Sequence, residues 1–225
     1  MPPAQRLSIE WSAQQRVSAL WCLPEDAPQA CLVLGHGAGA GMEHPSMQAL
    51  ADGLALRRVA TLRFQFPYME RGSQRPDPPP LCHATVRAAA ARAAALLPGI
   101  PLFAGGRSFG GRMTSQAQAI EPLLQVRGLV FFAFPLHPAG QPSTSRAAHL
   151  SKIDIPMLFL QGTADKLAQP ELMAPLAASL GSLTTLHSIE AADHAFHVPA
   201  RSGRTDAQVL HAALEYCVHW MAARC

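Results

Sequence analysis

Charge is scarce in this chain. Only 15% of its 225 residues are Asp, Glu, Lys or Arg, against 49% hydrophobic, where an average soluble protein carries about 25% charged. That pairing excludes intrinsic disorder, which needs low hydrophobicity and high charge. Long apolar runs are absent too. The longest is residues 128–136, less than half of the roughly 20 residues a membrane helix needs. Residues 1–11 hold no apolar core of a secretory leader, so none is expected. No CxxC occurs, and the five cysteines, Cys22, Cys31, Cys82, Cys217 and Cys225, are odd in number and widely spaced. They read as reduced thiols of a cytoplasmic protein. Sixteen glycines and 20 prolines follow no G-X-Y period, which excludes a collagen-like chain. The net charge is +3, carried mostly by scattered arginines, with Arg57 and Arg58 the tightest pair. A nucleic-acid partner would call for a basic stripe, so none is expected, nor is a membrane; a small anionic substrate stays open.

What is present alternates between short β-rich runs and helical runs. Residues 6–11 and 16–23 read as an opening pair of strands. Residues 31–34 form a continuous apolar run ending in glycine, as expected of a strand buried on both faces. Further strands are expected at 59–64, 102–104, 128–134, 157–161 and 184–189. Met47, Leu50, Ala51 and Leu54 follow the helical i, i+3, i+4, i+7 rule after Pro45-Ser46. Other helices are expected at 85–97, 108–120 and 170–180, with a last one capped by Thr205 or Asp206. The one long irregular segment is 67–80, whose prolines at 76, 78, 79 and 80 predict non-helical chain. Strands alternating with helices after an antiparallel pair predict a mostly parallel central sheet of about eight strands, with helices on both faces. No internal repeat is visible, and one α/β domain over 1–225 is expected.

The strongest local signal is Gly106-Arg107-Ser108-Phe109-Gly110, a G-x-S-x-G between a strand and a helical run. A sharp strand-to-helix turn lifts such a serine clear of the sheet, and small neighbours let the backbone pack that tightly. Gly106 to Gly111 also has the G-x-x-x-x-G spacing of a phosphate loop. Arg112-Met113, however, stands where Lys then Ser or Thr is required.

A serine needs a base and an acid to orient that base. In the architecture that uses this elbow the acid and then the histidine follow in chain order, each after a later strand. No Asp or Glu lies between Glu121 and Asp154. Asp154 precedes its strand, Glu171 belongs to the next helix, and Asp165, just after the 157–161 strand, is the best-placed acid. Five histidines follow it. His187 sits inside a strand, and His211 and His219 on the last helix. His194, nearer the end of the 184–189 strand, is preferred as base, with His197 the second candidate. Asp193 reads as a loop-shaping residue.

Acyl transfer builds negative charge on an oxygen, and donors placed for it in advance are usually the largest catalytic contribution. The N–H of Phe109 and that of Ala38, in the loop Gly35-His36-Gly37-Ala38-Gly39-Ala40-Gly41, are the expected pair, with Gly37 or Gly39 as donors under a shift in register. The same loop fits G-x-G-x-x-G/A, and Arg63 could meet a 2′-phosphate of NADP. Against a dinucleotide, the helix starts at Pro45-Ser46, too late to receive a pyrophosphate. His36 with His44, and His194 with His197, offer no third ligand at metal-binding spacing, and no metal is expected.

Together the strand followed by HGAGAG, the RFQFP of 63–67, the GGRSFGGR of 105–112, the QGTAD of 161–165 and the DHAF of 193–196 resemble the α/β-hydrolase superfamily. They are most similar to its small, lidless, dienelactone-hydrolase-like members, over about residues 31–225. Dienelactone hydrolases themselves have a cysteine nucleophile, where this chain has Ser108. The resemblance implies Ser108 as nucleophile, Asp165 as acid, His194 as base, a carboxylic ester of a small molecule as substrate, and no cofactor. The segment 135–150 is short, so little or no lid is expected. Tyr68 is expected in one wall of the pocket, with His36, Arg107 and His137 as further substrate contacts. A monomer or homodimer is expected. The competing class is an interaction module that keeps this fold without turnover.

Overall fold

Backbone hydrogen bonds join eight strands into one sheet in a computed structural model that describes residues 3–225. The first two residues of the expected domain lie outside the described residues. Strands β1 (Gln5–Ser12) and β2 (Gln15–Cys22) pair antiparallel, and β2 is antiparallel to β4 (Val59–Phe64). All remaining neighbours are parallel: β3 (Ala30–Gly35), β5 (Leu102–Arg107), β6 (Val126–Phe132), β7 (Met157–Gly162) and β8 (Thr184–Ile189). The spatial order is β1-β2-β4-β3-β5-β6-β7-β8.

The central strands are near-continuous apolar runs because both of their faces are covered. Alternate residues serve opposite layers. Cys31 and Val33 of β3 and Leu129 and Phe131 of β6 join the layer of α3 (Pro79–Leu96), α4 (Phe109–Ile120) and α5 (Pro170–Ser179). Leu32, Leu34, Val130 and Phe132 join the layer of α1 (Pro45–Ala55) and α6 (Asp206–Ala222). Low charge is thus the compositional mark of a sheet sandwiched between helices. Thr205 caps α6 in a reciprocal capping box with Gln208.

The 67–80 segment departs from the expectation. A single turn, α2 (Pro67–Glu70), opens it, and α3 begins at Pro79, six residues before the expected start. Pro79 and Pro80 occupy the first turn of α3, where the N–H that proline lacks would have no helical partner anyway. Between β6 and β7 there is no inserted domain, only loop and a short 3-10 helix, Ser145–Lys152.

At its centre the sheet meets α4 backbone to backbone. A Cβ on Gly110 would sit 2.2 Å from the carbonyl carbon of Gly35, and one on Gly106 2.3 Å from the Gly35 oxygen. Gly106 also has φ +155°. In contrast, a Cβ on Gly37 or Gly39 would meet nothing within 4 Å. Gly110→Ala should therefore lower unfolding free energy by about 3 kcal/mol, the top of the usual overpacking range, while Gly39→Ala stays near wild type. Urea melts test this; a Gly110→Ala midpoint equal to wild type would mean that the crossing relaxes freely.

Candidate active site

Ser108 links β5 to α4 with φ 50° and ψ −112°, a conformation that costs about 1–3 kcal/mol for a residue with a side chain. Neighbouring backbone holds it there. The Ser108 N–H donates to the Phe132 carbonyl of β6 at 3.0 Å, and its own carbonyl accepts from the Arg112 N–H at 3.1 Å. Phe109, the next residue, packs edge-on against Phe66 and Tyr68, with centroids 5.3 and 6.1 Å away. Each such pair contributes about 0.5–1.5 kcal/mol beyond its burial.

The turn after β7 supplies Asp165 and the turn after β8 supplies His194. His194 Nδ1 lies 2.7 Å from Asp165 Oδ2, and His194 Nε2 lies 2.8 Å from Ser108 Oγ. A carboxylate accepts from Nδ1–H, which leaves Nε2 bare to accept from the serine hydroxyl. Asp165 is 1% exposed, and further donors fill its oxygens: Gln161 Nε2–H to Oδ2 at 2.6 Å and Leu167 N–H to Oδ1 at 2.8 Å. The His194 loop is tied at several points. Asp193 Oδ1 accepts from the N–H groups of Ala195 and His197, and Arg107 Nη2–H donates to the His194 carbonyl at 3.0 Å. Gly162 lets this loop cross the end of β7, since a Cβ there would sit 2.2 Å from Ala192 O. His197 instead faces solvent and pairs with Asp206 at 2.9 Å, which raises its pKa.

A family model described as "alpha/beta hydrolase domain" matches residues 28–222. The chain belongs to this α/β hydrolase family. Its fold is similar to that of a lidless α/β serine hydrolase from Xanthomonas campestris, at 21% identity and TM-score 0.76, covering 98% of this chain and 96% of the other. A dienelactone hydrolase from Anabaena variabilis aligns at 18% identity and TM-score 0.78 over 99% and 98% of the two chains. An esterase domain from Rhodothermus marinus aligns at 16% identity and TM-score 0.72 over 99% of each chain.

Within this α/β hydrolase a cleft of about 380 Å³ opens beside Ser108, with Ala38, Phe109, Arg112, Arg146 and Leu167 among its walls. A second cavity of about 330 Å³, between Ala30 and Val59 at the amino ends of β3 and β4 and the end of α6, is remote from the serine. Three expected substrate contacts are corrected. His36, Tyr68 and His137 are fully buried, and their polar atoms are committed within the protein. His36 Nε2 accepts from Phe66 N–H at 3.0 Å, while its Nδ1–H donates to Gly37 O at 2.7 Å. That bond pins the Gly37–Ala38 peptide, whose other end is the Ala38 N–H. Tyr68 Oη–H donates to Ala38 O at 2.7 Å and so pins the next peptide. His137 contacts Pro138 O at 2.8 Å and the Gln169 side chain at 2.5 Å. Arg107 braces the His194 loop, its Cζ 5.6 Å from the Phe196 ring centroid. Arg63, weighed for a dinucleotide phosphate, is fully buried in β4 and donates to Met42 O at 3.1 Å.

Sequence reasoning passed over Arg112, Arg146 and Gln161. Arg112 stands one helical turn after Ser108, a spacing that places two side chains on one face. Arg146 had no such signal, since only the fold brings the β6–β7 connection to the serine.

Burial lowers the His36 pKa to about 4 from 6.5. Between those values the unfolded chain binds a proton that the folded chain refuses. The contribution is therefore fully present above pH 6.5 and is lost as pH falls toward 4, by about 3 kcal/mol. His36→Gln lacks this dependence, so the stability gap between wild type and variant should narrow by that amount from pH 7 to pH 4 in chemical denaturation. A constant gap would show that His36 is not held neutral.

Proposed function

We propose that this α/β hydrolase cleaves a carboxylic ester, or a related acyl bond, of a small substrate through an acyl-enzyme. The observation that carries this reading is the unbroken relay from Asp165 through His194 to Ser108, at 2.7 and 2.8 Å, ending in the cleft. Ser108 Oγ attacks the acyl carbon while His194 Nε2 takes its proton. The N–H groups of Phe109 and Ala38 hold the developing oxyanion; preorganised donors of this kind are worth roughly 2.7–4 kcal/mol each. His194 then gives its proton to the leaving alcohol, and water repeats the sequence to release the acid. Asp165 keeps Nδ1 protonated throughout and balances the imidazolium. The cleft lies near the lower end of the roughly 300–1,000 Å³ usual for ligand sites, which favours short substrates.

The same proposal includes a reducing, cytoplasmic setting. Cys31, Cys82 and Cys217 are buried with pKa values pushed up to about 12, so they are poor thiolates and inert towards oxidation.

A fluorophosphonate probe should label the wild-type protein and leave Ser108→Ala unlabelled. On a nitrophenyl ester, Asp165→Asn should lower kcat by about 10⁴ and His194→Ala by about 10⁶. An unlabelled wild type, or equal labelling of Ser108→Ala, would defeat the esterase reading and leave the interaction module.

A further inference from the structure

We propose that Gln161 is a positioning residue that sets how far into acid the enzyme stays active, by sharing with His194 the Asp165 oxygen that balances the imidazolium. This rests on the esterase reading of the same site and concerns how its base is tuned.

Gln161 breaks the pattern of its strand. Along β7, Met157 and Phe159 serve the layer of α3, α4 and α5, while Leu158 and Leu160 serve the opposite layer. Alternation puts Gln161 on the face of Met157 and Phe159, where a strand covered on both sides calls for an apolar side chain. Gln161 is buried all the same, and a buried polar group is the informative exception in a core. Its amide is used at one end only. Nε2–H donates to Asp165 Oδ2 at 2.6 Å, while Oε1 is buried with no partner. The reverse orientation would set oxygen against oxygen, since a carboxylate only accepts. The side chain thus keeps an unmatched acceptor in the interior, and what it retains in return is one bond to the acid.

That bond falls on the oxygen that faces the base. Oδ2 also lies 2.7 Å from His194 Nδ1, and Oδ1 accepts from the Leu167 N–H at 2.8 Å. Three donors on two oxygens fix the carboxylate plane and hold Oδ2 against the imidazole. The Gln161 bond has an electrostatic effect as well. A donor on a carboxylate stabilises its charge, and so leaves less of that charge for the imidazolium opposite. The imidazolium is then less favoured than it would be against an Asp165 without Gln161. A free imidazole is what takes the serine proton, so catalysis extends further into acid. Changes at position 161 leave the other charges around His194 in place. These are Arg107 of β5, which feels both Asp193 and Asp165, Asp193 in the histidine's own loop, and Lys166 beside Asp165, which is exposed.

The test follows the acid limb of kcat/KM for para-nitrophenyl acetate, which reports ionisation in the free enzyme. Gln161→Met keeps the length of the side chain and removes the donor. Its acid limb should move up by about one pH unit, so that below the limb the rate relative to the plateau falls roughly tenfold. KM at the plateau should stay near wild type. Gln161→Leu should behave in the same way. The midpoint of the limb does not depend on how much protein is folded. A limb that stays in place or moves down would overturn the proposal, however far the plateau falls. Wild type offers a second readout that needs neither substitution nor turnover. In an NMR titration the Gln161 side-chain amide protons should shift with the same midpoint as the His194 ring. Amide signals that do not follow the ring would overturn the proposal. Failure of the fluorophosphonate probe, with the shared midpoint intact, would defeat the esterase reading and leave the coupling of Gln161 to His194 standing.

Discussion

Everything at the site hangs on one close approach, the contact between the end of β3 and the first turn of α4. The carbonyl of Gly35 occupies the space where Cβ atoms on Gly106 and Gly110 would sit. With no side chain between them, the HGAGAG loop that follows β3 and the serine that follows β5 end up walling the same cleft. Any bulk at this crossing would separate the expected oxyanion donors from the expected nucleophile. The backbone strain at Ser108 is the other half of the same constraint. Bonds to the next strand and to the next helical turn offset it.

Around that contact, buried polar groups are spent on holding peptides and loops. His36 and Tyr68 fix two consecutive peptides on one side of the cleft, while Arg107 and Asp193 fix the His194 loop on the other. A buried polar group left without a partner costs about 1–3 kcal/mol, so these side chains favour one loop conformation over its neighbours. Arg112 and Arg146 do neither; both line the cleft beside Ser108.

The fold was legible because its signals are local. A β-rich run followed by an amphipathic run recurs along the chain, and a strand, a glycine-flanked serine and a helical run leave few architectures open. The placement of Asp165 and His194, each just beyond the end of a strand, was readable too. The start of α3 was misread because proline's ban on the helix interior was applied to a first turn that tolerates it. The contacts assigned to His36, Tyr68 and His137 failed for another reason. A polar residue near a motif looks the same in sequence whether it faces the cleft or the core, and here all three are buried.

By itself the sequence determined the mixed α/β architecture, the turn that carries Ser108, and the positions of Asp165 and His194 after later strands, because each depends on periodicity and on small residues within a few positions. Only the tertiary structure decided which histidine stands 2.8 Å from Ser108, which peptides His36 and Tyr68 hold, and that Arg146 shares a cleft with Arg112. These depend on how far strand ends and loops are carried across the sheet, a distance in space that no spacing along the chain records.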